Sequence, residues 1–177
     1  MIIYGARGLA AREQAHTLLA RAAGLHWGLP SLPPVGRRQW GKPYFPARPE
    51  LEFNLSHSGP FALCALDSAP VGVDIQTVRP RRPALLRRVC APEELAWLEG
   101  RGDLWPAFAL LWALKESRVK ESGRGLTSPI SAISIPLPAE GPVQLDGLWF
   151  RSYGGEGWAG AVCGHSPPPD AIIWLDL

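Results

Sequence analysis

The sequence lacks the features that mark membrane, disulfide-rich and zinc-binding proteins. Only three of its 177 residues are cysteine (Cys64, Cys90 and Cys163), and no Cys-x-x-Cys pair occurs, so neither a disulfide framework nor a zinc site is predicted. No apolar run reaches the ~20 residues of a membrane-spanning helix. The first residues also lack the charged and apolar regions of a signal peptide. We therefore expect a cytoplasmic protein that does not act on a membrane.

A strong net charge is also missing. The formal charge at pH 7 is +2, which does not indicate a nucleic-acid partner, whereas a 46% share of hydrophobic residues predicts a buried core. Arginines do cluster in one segment, at Arg79, Arg81, Arg82, Arg87 and Arg88. This cluster fits either a patch for an acidic partner or a solvated arginine-rich face.

Several common motifs are absent as well. The sequence contains no Walker loop, no Gly-x-Gly-x-x-Gly and no Gly-x-Ser-x-Gly elbow. The adjacent Ser56 and His57 cannot readily meet as nucleophile and base, which argues against a Ser-His-Asp hydrolase. A nucleotide-like ligand would therefore be bound without the usual nucleotide-binding folds.

The predicted elements follow the same order twice along the chain, namely strand, helix and then further strands. The first round predicts a strand at residues 2–4, a helix at 9–27, a loop at 30–49 and strands at 51–55 and 61–66. The second round predicts, in order, a strand at 71–75, one or two short helices within 83–97, a helix at 104–121, and strands at 131–135, 145–151, 158–163 and 172–175. We therefore expect an α+β fold of two similar lobes, residues 1–69 and 70–177, with a cleft between them.

The helix predicted at 104–121 changes character along its length. Asp103 is its predicted N-cap, and Gly123 is expected just beyond its C-terminal end. Four residues spaced four apart share one face, namely Phe108, Trp112, Glu116 and Lys120. The two aromatic residues are expected to anchor the helix in the core. The Glu–Lys pair fits either an ordinary surface ion pair or the charged edge of a cleft.

Asp74 lies within an apolar strand, on the same predicted face as Gly72 and Gln76. An ionised carboxylate in such a strand costs free energy unless it is paired or bound to a cation. The segment therefore indicates either a metal ligand or an ion pair with a nearby arginine such as Arg79.

The segment Ser56-His57-Ser58-Gly59 is expected on a tight connection between two strands. Its hydroxyls and imidazole offer hydrogen bonds to phosphate oxygens, although ordinary turn chemistry explains the serines equally well. Together with the cations Lys42 and Lys120 and the carboxylates of Asp74 and Glu116, the segment suits a magnesium-bound pyrophosphate.

Four segments, in their order and approximate spacing, resemble the surfactin-type 4′-phosphopantetheinyl transferases. They are Gly41-Lys42-Pro43, Phe53-Asn54-Leu55-Ser56-His57-Ser58, Val71-Gly72-Val73-Asp74, and Trp112-Ala113-Leu114-Lys115-Glu116-Ser117-Arg118-Val119-Lys120. The Gly123-Arg124-Gly125-Leu126 segment is also similar to a loop of that family. The resemblance implies two lobes related by pseudo-two-fold symmetry, with the active site in the cleft between them.

The same resemblance implies a reaction and its partners. The protein would transfer 4′-phosphopantetheine from coenzyme A to a serine of an apo acyl or peptidyl carrier protein, with Mg²⁺, and release adenosine 3′,5′-bisphosphate. Such an enzyme activates carriers of fatty acid, polyketide or nonribosomal peptide biosynthesis. We expect a monomer.

The resemblance also assigns roles to residues. Asp74, Glu116 and, by strand alternation, Gln76 would hold Mg²⁺. Glu116 would act as base for the carrier serine, Lys120 would neutralise phosphate charge, and His57 would complete the catalytic set. The coenzyme A contacts would be Gly41, Lys42, Pro43, Ser56, His57, Lys120 and Thr17.

Two departures from the family pattern stand out. The family usually has an acidic residue where this chain has Gln76, so weaker Mg²⁺ binding is expected. The chain also lacks a basic stretch near its start that helps to hold the 3′-phosphate, for which Arg7, Arg12 or the Arg37-Arg38 pair could substitute.

Two alternative functions remain open. The first is a weakened relative that binds coenzyme A or a carrier protein without efficient turnover, which Gln76 and the short N-terminal region favour. The second is a magnesium-dependent phosphohydrolase, which has the same charged groups but does not explain the ordered motifs.

Overall fold

The computed structural model describes residues 1–11 and 13–177 and has the predicted α+β composition. Ten strands of these described residues form two four-stranded sheets and one small hairpin. The first sheet consists, in order across the sheet, of β10 (Ile173–Leu175), β1 (Ile2–Ala6), β5 (Phe61–Asp67) and β4 (Glu52–Ser58). The second consists of β6 (Val71–Thr77), β9 (Trp158–Gly164), β8 (Leu148–Gly155) and β7 (Val143–Leu145). The hairpin consists of β2 (Gly36–Arg37) and β3 (Pro43–Tyr44).

The helices pack on these sheets. The helix α1 (Gln14–Trp27) packs on β1 and β5, and α4 (Leu104–Ser122) packs on β6 and β9. Two short helices, α2 (Ala84–Val89) and α3 (Pro92–Glu99), precede α4. The two sheets are built in a similar way. In the first, β1 is followed by α1 and by the antiparallel hairpin of β4 and β5, and β5 pairs with β1. In the second, β6 is followed by α4 and by the antiparallel hairpin of β8 and β9, and β9 pairs with β6. No helix of the described residues is long and apolar enough to cross a bilayer.

The helix α1 begins later than predicted. The predicted start at residue 9 is wrong, because the Gln14 side chain accepts hydrogen bonds from the backbone N–H groups of Ala10 and Ala11, which precede the helix. Its end is as predicted, since Gly28 takes a left-handed conformation with φ of 66°. The apolar face predicted for α1 consists of Ala15, Leu18, Leu19, Ala22 and Leu25. The first four are buried, but the prediction is wrong for Leu25, which is 62% exposed because it lies near the end of the helix and away from the sheet-facing side.

The helix α4 closely matches its prediction. It ends before Gly123, whose φ of 64° is the left-handed conformation expected of a C-terminal glycine. Asp103 is the N-cap residue, as predicted, but its carboxylate pairs with Arg101 at 3.1 Å and makes no cap hydrogen bond to the described residues of the helix. Phe108 is buried, and Trp112 packs edge-on against it with ring centroids 5.5 Å apart. The aromatic anchor is therefore confirmed.

Four local predictions differ from the structure. The loop predicted at residues 30–49 contains the small hairpin of β2 and β3. The strand predicted at 131–135 is a 3-10 turn at Ile130–Ala132. The strand predicted at 145–151 is divided, because Asp146 and Gly147 form a turn with positive φ. Finally, residues 56–58 do not form a tight connection but continue β4, so that the turn itself is Gly59-Pro60.

The last strand, β10, belongs to the first sheet, although the three strands before it belong to the second. Whereas β7, β8 and β9 pair within the second sheet, β10 runs parallel to β1 at the edge of the first sheet, with Ile173 opposite Tyr4. All three cysteines are buried thiols, as the sequence predicts for Cys64 and Cys163.

Candidate active site

An ionic cluster lies where β6 meets α4. Asp74 is only 3% exposed, and its Oδ1 lies 2.6 Å from the ammonium of Lys120. The same oxygen accepts a hydrogen bond from Ser56 Oγ at 2.8 Å, and Oδ2 accepts one from Gln76 Nε2 at 2.7 Å. Of the two alternatives for Asp74, an ion pair is therefore present, but its partner is Lys120 rather than Arg79. Gln76 shares the face of Asp74, as strand alternation predicts.

Glu116 lies one helical turn before Lys120 on α4 and adds a second carboxylate to this cluster. Burial and the nearby Asp74 raise the pKa of Glu116 above its ordinary value of 4.5, while Lys120 and a hydrogen bond from Trp112 act in the opposite direction. Two carboxylates thus compete for one ammonium group, an arrangement that favours binding of an additional cation.

Gly72 explains how α4 approaches β6 so closely. A Cβ atom at this position would lie 2.0 Å from the carbonyl oxygen of Ser117 and 2.3 Å from the backbone nitrogen of Glu121. Only glycine permits this contact between the strand and the helix backbone. Asp74 lies two residues further along β6. The close contact at Gly72 therefore brings the Asp74 carboxylate within reach of Lys120 on α4.

The strands β4 and β6 belong to different sheets and are joined by side chains. The two strands run in the same direction. The side chains of every second residue of β4 accept hydrogen bonds from the backbone N–H of every second residue of β6. The three bonds are Val73 N to Asn54 Oδ1 (3.0 Å), Ile75 N to Ser56 Oγ (3.3 Å) and Thr77 N to Ser58 Oγ (2.9 Å). We call these three β4 residues, Asn54, Ser56 and Ser58, the polar seam.

The side chain of Lys42 turns inward. Its ammonium donates hydrogen bonds to the carbonyl oxygens of Val71 (3.1 Å) and Glu121 (2.8 Å), and Glu52 lies 3.9 Å away. Burial lowers the pKa of Lys42. The ammonium group of Lys42, one of the cations that the sequence suggests for a pyrophosphate, therefore links the start of β6 to the end of α4.

Two cavities adjoin the ionic cluster. The first, of about 230 Å³, is lined by Gly41, Lys42, Pro43 and Lys120, and by the exposed Trp40. The second, of about 200 Å³, is lined by Pro43, Ser56 and His57, and by His16 and Arg37. Pro43 and Leu55 line both cavities, so the two are neighbours. Six of the seven predicted coenzyme A contacts therefore line one of these cavities.

The seventh predicted contact, Thr17, is exposed on α1 beside His16. Of the basic residues proposed for the 3′-phosphate, Arg37 lines the second cavity and donates to the carbonyl oxygen of Gly41 at 3.0 Å. Arg38 pairs with Glu52 at 2.6 Å, and Arg7 stacks on Trp174 at 4.1 Å. Arg12 lies outside the described residues.

The oxygen donors of the cluster fit a magnesium ion. Among the described residues no group of three or more His, Cys, Asp or Glu side chains could hold a metal ion. Asp74 and Glu116 nevertheless supply two carboxylates, and Gln76 offers an amide oxygen. Mg²⁺ commonly uses one or two carboxylates and completes its coordination with water and substrate phosphates. The donor set suits that mode and does not suit a cation held by protein alone.

Sequence reasoning missed two features that build the site. One is the polar seam, whose signal was that Asn54, Ser56 and Ser58 occupy alternate positions of one strand and therefore share one face. The other is the strand–helix contact at Gly72, for which a glycine two residues before a buried aspartate was the only indication.

Comparison with known proteins gives consistent matches. A model of the 4′-phosphopantetheinyl transferase superfamily matches residues 70–163. The chain is 35% identical over 172 residues to a 4′-phosphopantetheinyl transferase of Bacillus subtilis, a match that covers 88% of this chain and 77% of the relative. It is 32% identical over 139 residues to the 4′-phosphopantetheinyl transferase Sfp of Bacillus subtilis (strain 168), covering 73% of this chain and 62% of Sfp. It is 37% identical over 139 residues to the 4′-phosphopantetheinyl transferase AcpT of Salmonella typhimurium, covering 74% and 69%.

Proposed function

The chain belongs to the 4′-phosphopantetheinyl transferase superfamily, as its motifs predict, and we propose that it transfers 4′-phosphopantetheine from coenzyme A to a serine of an apo acyl or peptidyl carrier protein. The observation that carries this proposal is the ionic cluster of Asp74, Glu116 and Lys120 beside two adjoining cavities. Such a cluster suits phosphoryl transfer, in which the protein mainly positions groups and stabilises charge.

The proposed architecture has two lobes related by pseudo-two-fold symmetry, with the active site in the cleft between them. The shared order of strand, helix and hairpin in the two sheets supports it. The proposed boundary between residues 69 and 70 falls between β5 and β6. A C-terminal lobe of residues 70–177 would then contribute one strand, β10, to the sheet of the other lobe.

Asp74, Glu116 and Gln76 are the proposed magnesium ligands. When bound, Mg²⁺ would neutralise charge on the pyrophosphate of coenzyme A. Burial and, after it, the neighbouring Asp74 carboxylate raise the pKa of Glu116, and two carboxylates held this near to each other support this assignment. Gln76 contributes a neutral amide in place of a third carboxylate, so we propose weaker Mg²⁺ binding than an acidic residue would give.

Glu116 is the proposed base. It would accept the proton of the carrier serine hydroxyl, directly or through a water molecule, as the serine oxygen forms a bond to the phosphorus that bears pantetheine. The bond between that phosphorus and the bridging oxygen of the pyrophosphate would break, and adenosine 3′,5′-bisphosphate would leave with the electron pair. Lys120 would neutralise the charge that develops on the leaving phosphate, and His57 would contact the phosphates.

The remaining coenzyme A contacts are proposed from the cavity linings. Gly41, Pro43 and the aliphatic part of Lys42 would contact the nucleotide in the first cavity. Thr17 on α1 is retained from the family resemblance. We add Arg37 as the substitute for the missing basic stretch, because it is the one candidate among the described residues that lines a predicted coenzyme A cavity.

The test of this proposal is to incubate the protein with coenzyme A, Mg²⁺ and an apo carrier protein and to measure the mass of the carrier. A gain of one phosphopantetheine group supports the transferase. Tight coenzyme A binding without a mass gain would instead indicate the weakened relative, and release of phosphate without a carrier would indicate a phosphohydrolase. The proposal also includes a monomer in the cytoplasm, which sedimentation and cell fractionation would test.

A further inference from the structure

One buried ammonium group, that of Lys115, joins three separate parts of the chain. The Lys115 side chain on α4 is fully buried, and its Nζ lies 2.9 Å from Glu94 Oε1 on α3. The same Nζ donates to the carbonyl oxygens of Ile130 (3.1 Å) and Ile133 (3.0 Å), with that of Ser131 at 3.4 Å. An ammonium group has three protons, so Glu94, Ile130 and Ile133 use all of them. No proton of Lys115 is therefore left for a substrate.

The segment 125–135 depends on these bonds for its position. None of its residues is fully buried, and residues 125–129 are exposed. Ile130 and Ile135 pack in part against the apolar core beside α4. Of the hydrogen bonds among the described residues, those of Lys115 are the only ones that connect the segment to other parts of the chain. Because hydrogen bonds from a charged donor are roughly twice as strong as neutral ones, the ammonium is the main polar anchor of this segment.

The segment 125–135 also forms a wall beside the proposed coenzyme A site. Gly125 lines the first cavity, and Leu126 and Ile133 line a third cavity of about 360 Å³. Gly125 and Val119 line both, so the third cavity adjoins the first. A displacement of the segment would therefore change the shape of both cavities.

Lys115 and Glu116 are neighbours in sequence with different surroundings. Successive residues of a helix lie about 100° apart around its axis. Glu116 faces Asp74 and Lys120, whereas Lys115 faces α3 and the segment 125–135. Removal of the Lys115 ammonium therefore leaves the groups of the ionic cluster in place.

We propose that Lys115 is a positioning residue that holds the segment 125–135 in place as a wall of the coenzyme A site, with Glu94 as the counter-ion of its buried ammonium. The inference rests on the proposed function, because the wall belongs to the proposed coenzyme A site. The pair of Lys115 and Glu94 thus acts on coenzyme A affinity as well as on the stability of the fold.

The experiment uses the double variant Lys115→Met/Glu94→Gln, which removes the ammonium without leaving a buried carboxylate unpaired. Hydrogen exchange followed by NMR reports on the amides of Ala132 and Ile133, which donate to carbonyl groups within the segment. We expect both amides to exchange about tenfold faster or more, because the charged hydrogen bonds that hold the turn are lost.

The same variant tests the effect on the ligand. Its affinity for coenzyme A, measured by calorimetry, should fall by at least about fivefold, because the wall is in place for only a fraction of the time. In the transfer assay KM for coenzyme A should rise in parallel, while kcat changes by less than about threefold, since the ionic cluster is intact.

The matched control is Ile3→Ala, which destabilises the fold by removing a fully buried side chain of β1 that lines none of the three cavities. The turn at Ile130–Ala132 opens locally, so global destabilisation should leave its amide exchange and the coenzyme A affinity within about threefold of wild type. If wild type fails to modify a carrier, the proposed function fails, whereas hydrogen exchange still decides whether Lys115 holds the segment.

Wild type alone gives a further test, should the double variant not fold. Its Ala132 and Ile133 amides should exchange at least about tenfold more slowly than those of an unstructured peptide, although Ala132 is exposed. Unprotected amides in wild type would overturn the inference.

Three other results would also overturn it. The first is unchanged exchange of the two amides in the double variant. The second is an equal effect of Ile3→Ala on exchange and on coenzyme A affinity, which would reveal a general structural role. The third is a fall in kcat with unchanged KM for coenzyme A, which would mean that Lys115 acts on the reacting groups rather than on the wall.

Discussion

The ammonium of Lys120 lies 2.6 Å from Oδ1 of Asp74 and joins helix α4 to strand β6. The Asp74 side chain is 4% exposed and that of Lys120 is 27% exposed, so the carboxylate depends on this pair more than the ammonium does. The pair also lies beside Glu116. Single substitutions at Asp74, Glu116 and Lys120 therefore change the charge of the site by one group each.

Replacement of Lys120 by methionine should destabilise the protein, because Asp74 is then left buried with only neutral partners. We expect a loss of about 2 kcal/mol in the free energy of unfolding, less than for a fully buried pair because Lys120 is partly exposed. The double variant Lys120→Met/Asp74→Asn should recover part of that loss. Urea denaturation of the single and double variants measures the coupling, and purely additive losses would show that the two groups do not interact.

The raised pKa of Glu116 makes a prediction about pH. A carboxyl group whose pKa is higher in the folded state stabilises the fold only while it is protonated, so its stabilising effect is lost as the pH rises through the folded pKa. Without metal, Glu116→Gln should therefore melt at a higher temperature than wild type near pH 7, and the difference should vanish below about pH 4, where the glutamate is protonated in both states.

The control for this variant is Glu99→Gln, which removes an exposed glutamate of α3. Melting curves in a chelator between pH 4 and pH 8 give the comparison. Glu116→Gln should also lose the transfer reaction, since the proposed base is removed, whereas Glu99→Gln should keep it. A Glu116→Gln protein that is less stable than wild type at neutral pH would contradict the environment described for this carboxyl group.

A second buried ion pair joins helix α3 to helix α4 and should stabilise the fold. Lys115 and Glu94 are fully or almost fully buried, 2.9 Å apart, and Lys115 also donates to the carbonyl oxygens of Ile130 and Ile133. Lys115→Met should cost about 3–5 kcal/mol, because the Glu94 charge is left unpaired in the core. Adding Glu94→Gln, which can still accept the N–H of Ala91, should restore part of the stability. Chemical denaturation of the two variants tests this, and equal stability of both would argue against a charged Glu94.

Gln76 offers a prediction about the metal. Gln76→Glu places a third negative charge beside Asp74, so we expect the Mg²⁺ concentration for half-maximal activity to fall and thermal stabilisation by Mg²⁺ to increase. Without metal the variant should be less stable than wild type, since a hydrogen bond of 2.7 Å is replaced by repulsion. Gln144→Glu, on an exposed position of β7, is the matched control. An unchanged Mg²⁺ requirement would indicate that residue 76 does not face the metal.

Much of this site was predictable because its residue types are unusual for their surroundings. Asp74 in an apolar strand and Glu116 with Lys120 on an apolar helix both stood out, and the structure brings them together. Helix α4 was also well predicted, because its glycine cap and aromatic residues are local signals.

The parts that failed depend on contacts distant in sequence. Residues 56–58 were expected in a turn because serine and glycine are typical of turns. The β4 strand nevertheless continues through them, because β5 pairs with their backbone and β6 supplies hydrogen-bond partners for Ser56 and Ser58. Residues 131–135 were expected to form a strand, but the buried ammonium of Lys115 binds the carbonyl oxygens of Ile130, Ser131 and Ile133. In each case the partner in the side-chain hydrogen bond lies more than fourteen residues away, where local pattern carries no information.

The most direct test of the central claim is to count both products of one reaction. An apo carrier protein is incubated with coenzyme A and Mg²⁺ together with wild type, Glu116→Gln or Glu99→Gln, and the modified carrier and adenosine 3′,5′-bisphosphate are quantified by mass spectrometry. We predict equal amounts of both products with wild type and Glu99→Gln, and a loss of both by at least about a hundredfold with Glu116→Gln. An unmodified carrier with the wild-type protein, or full activity of Glu116→Gln, would contradict the account.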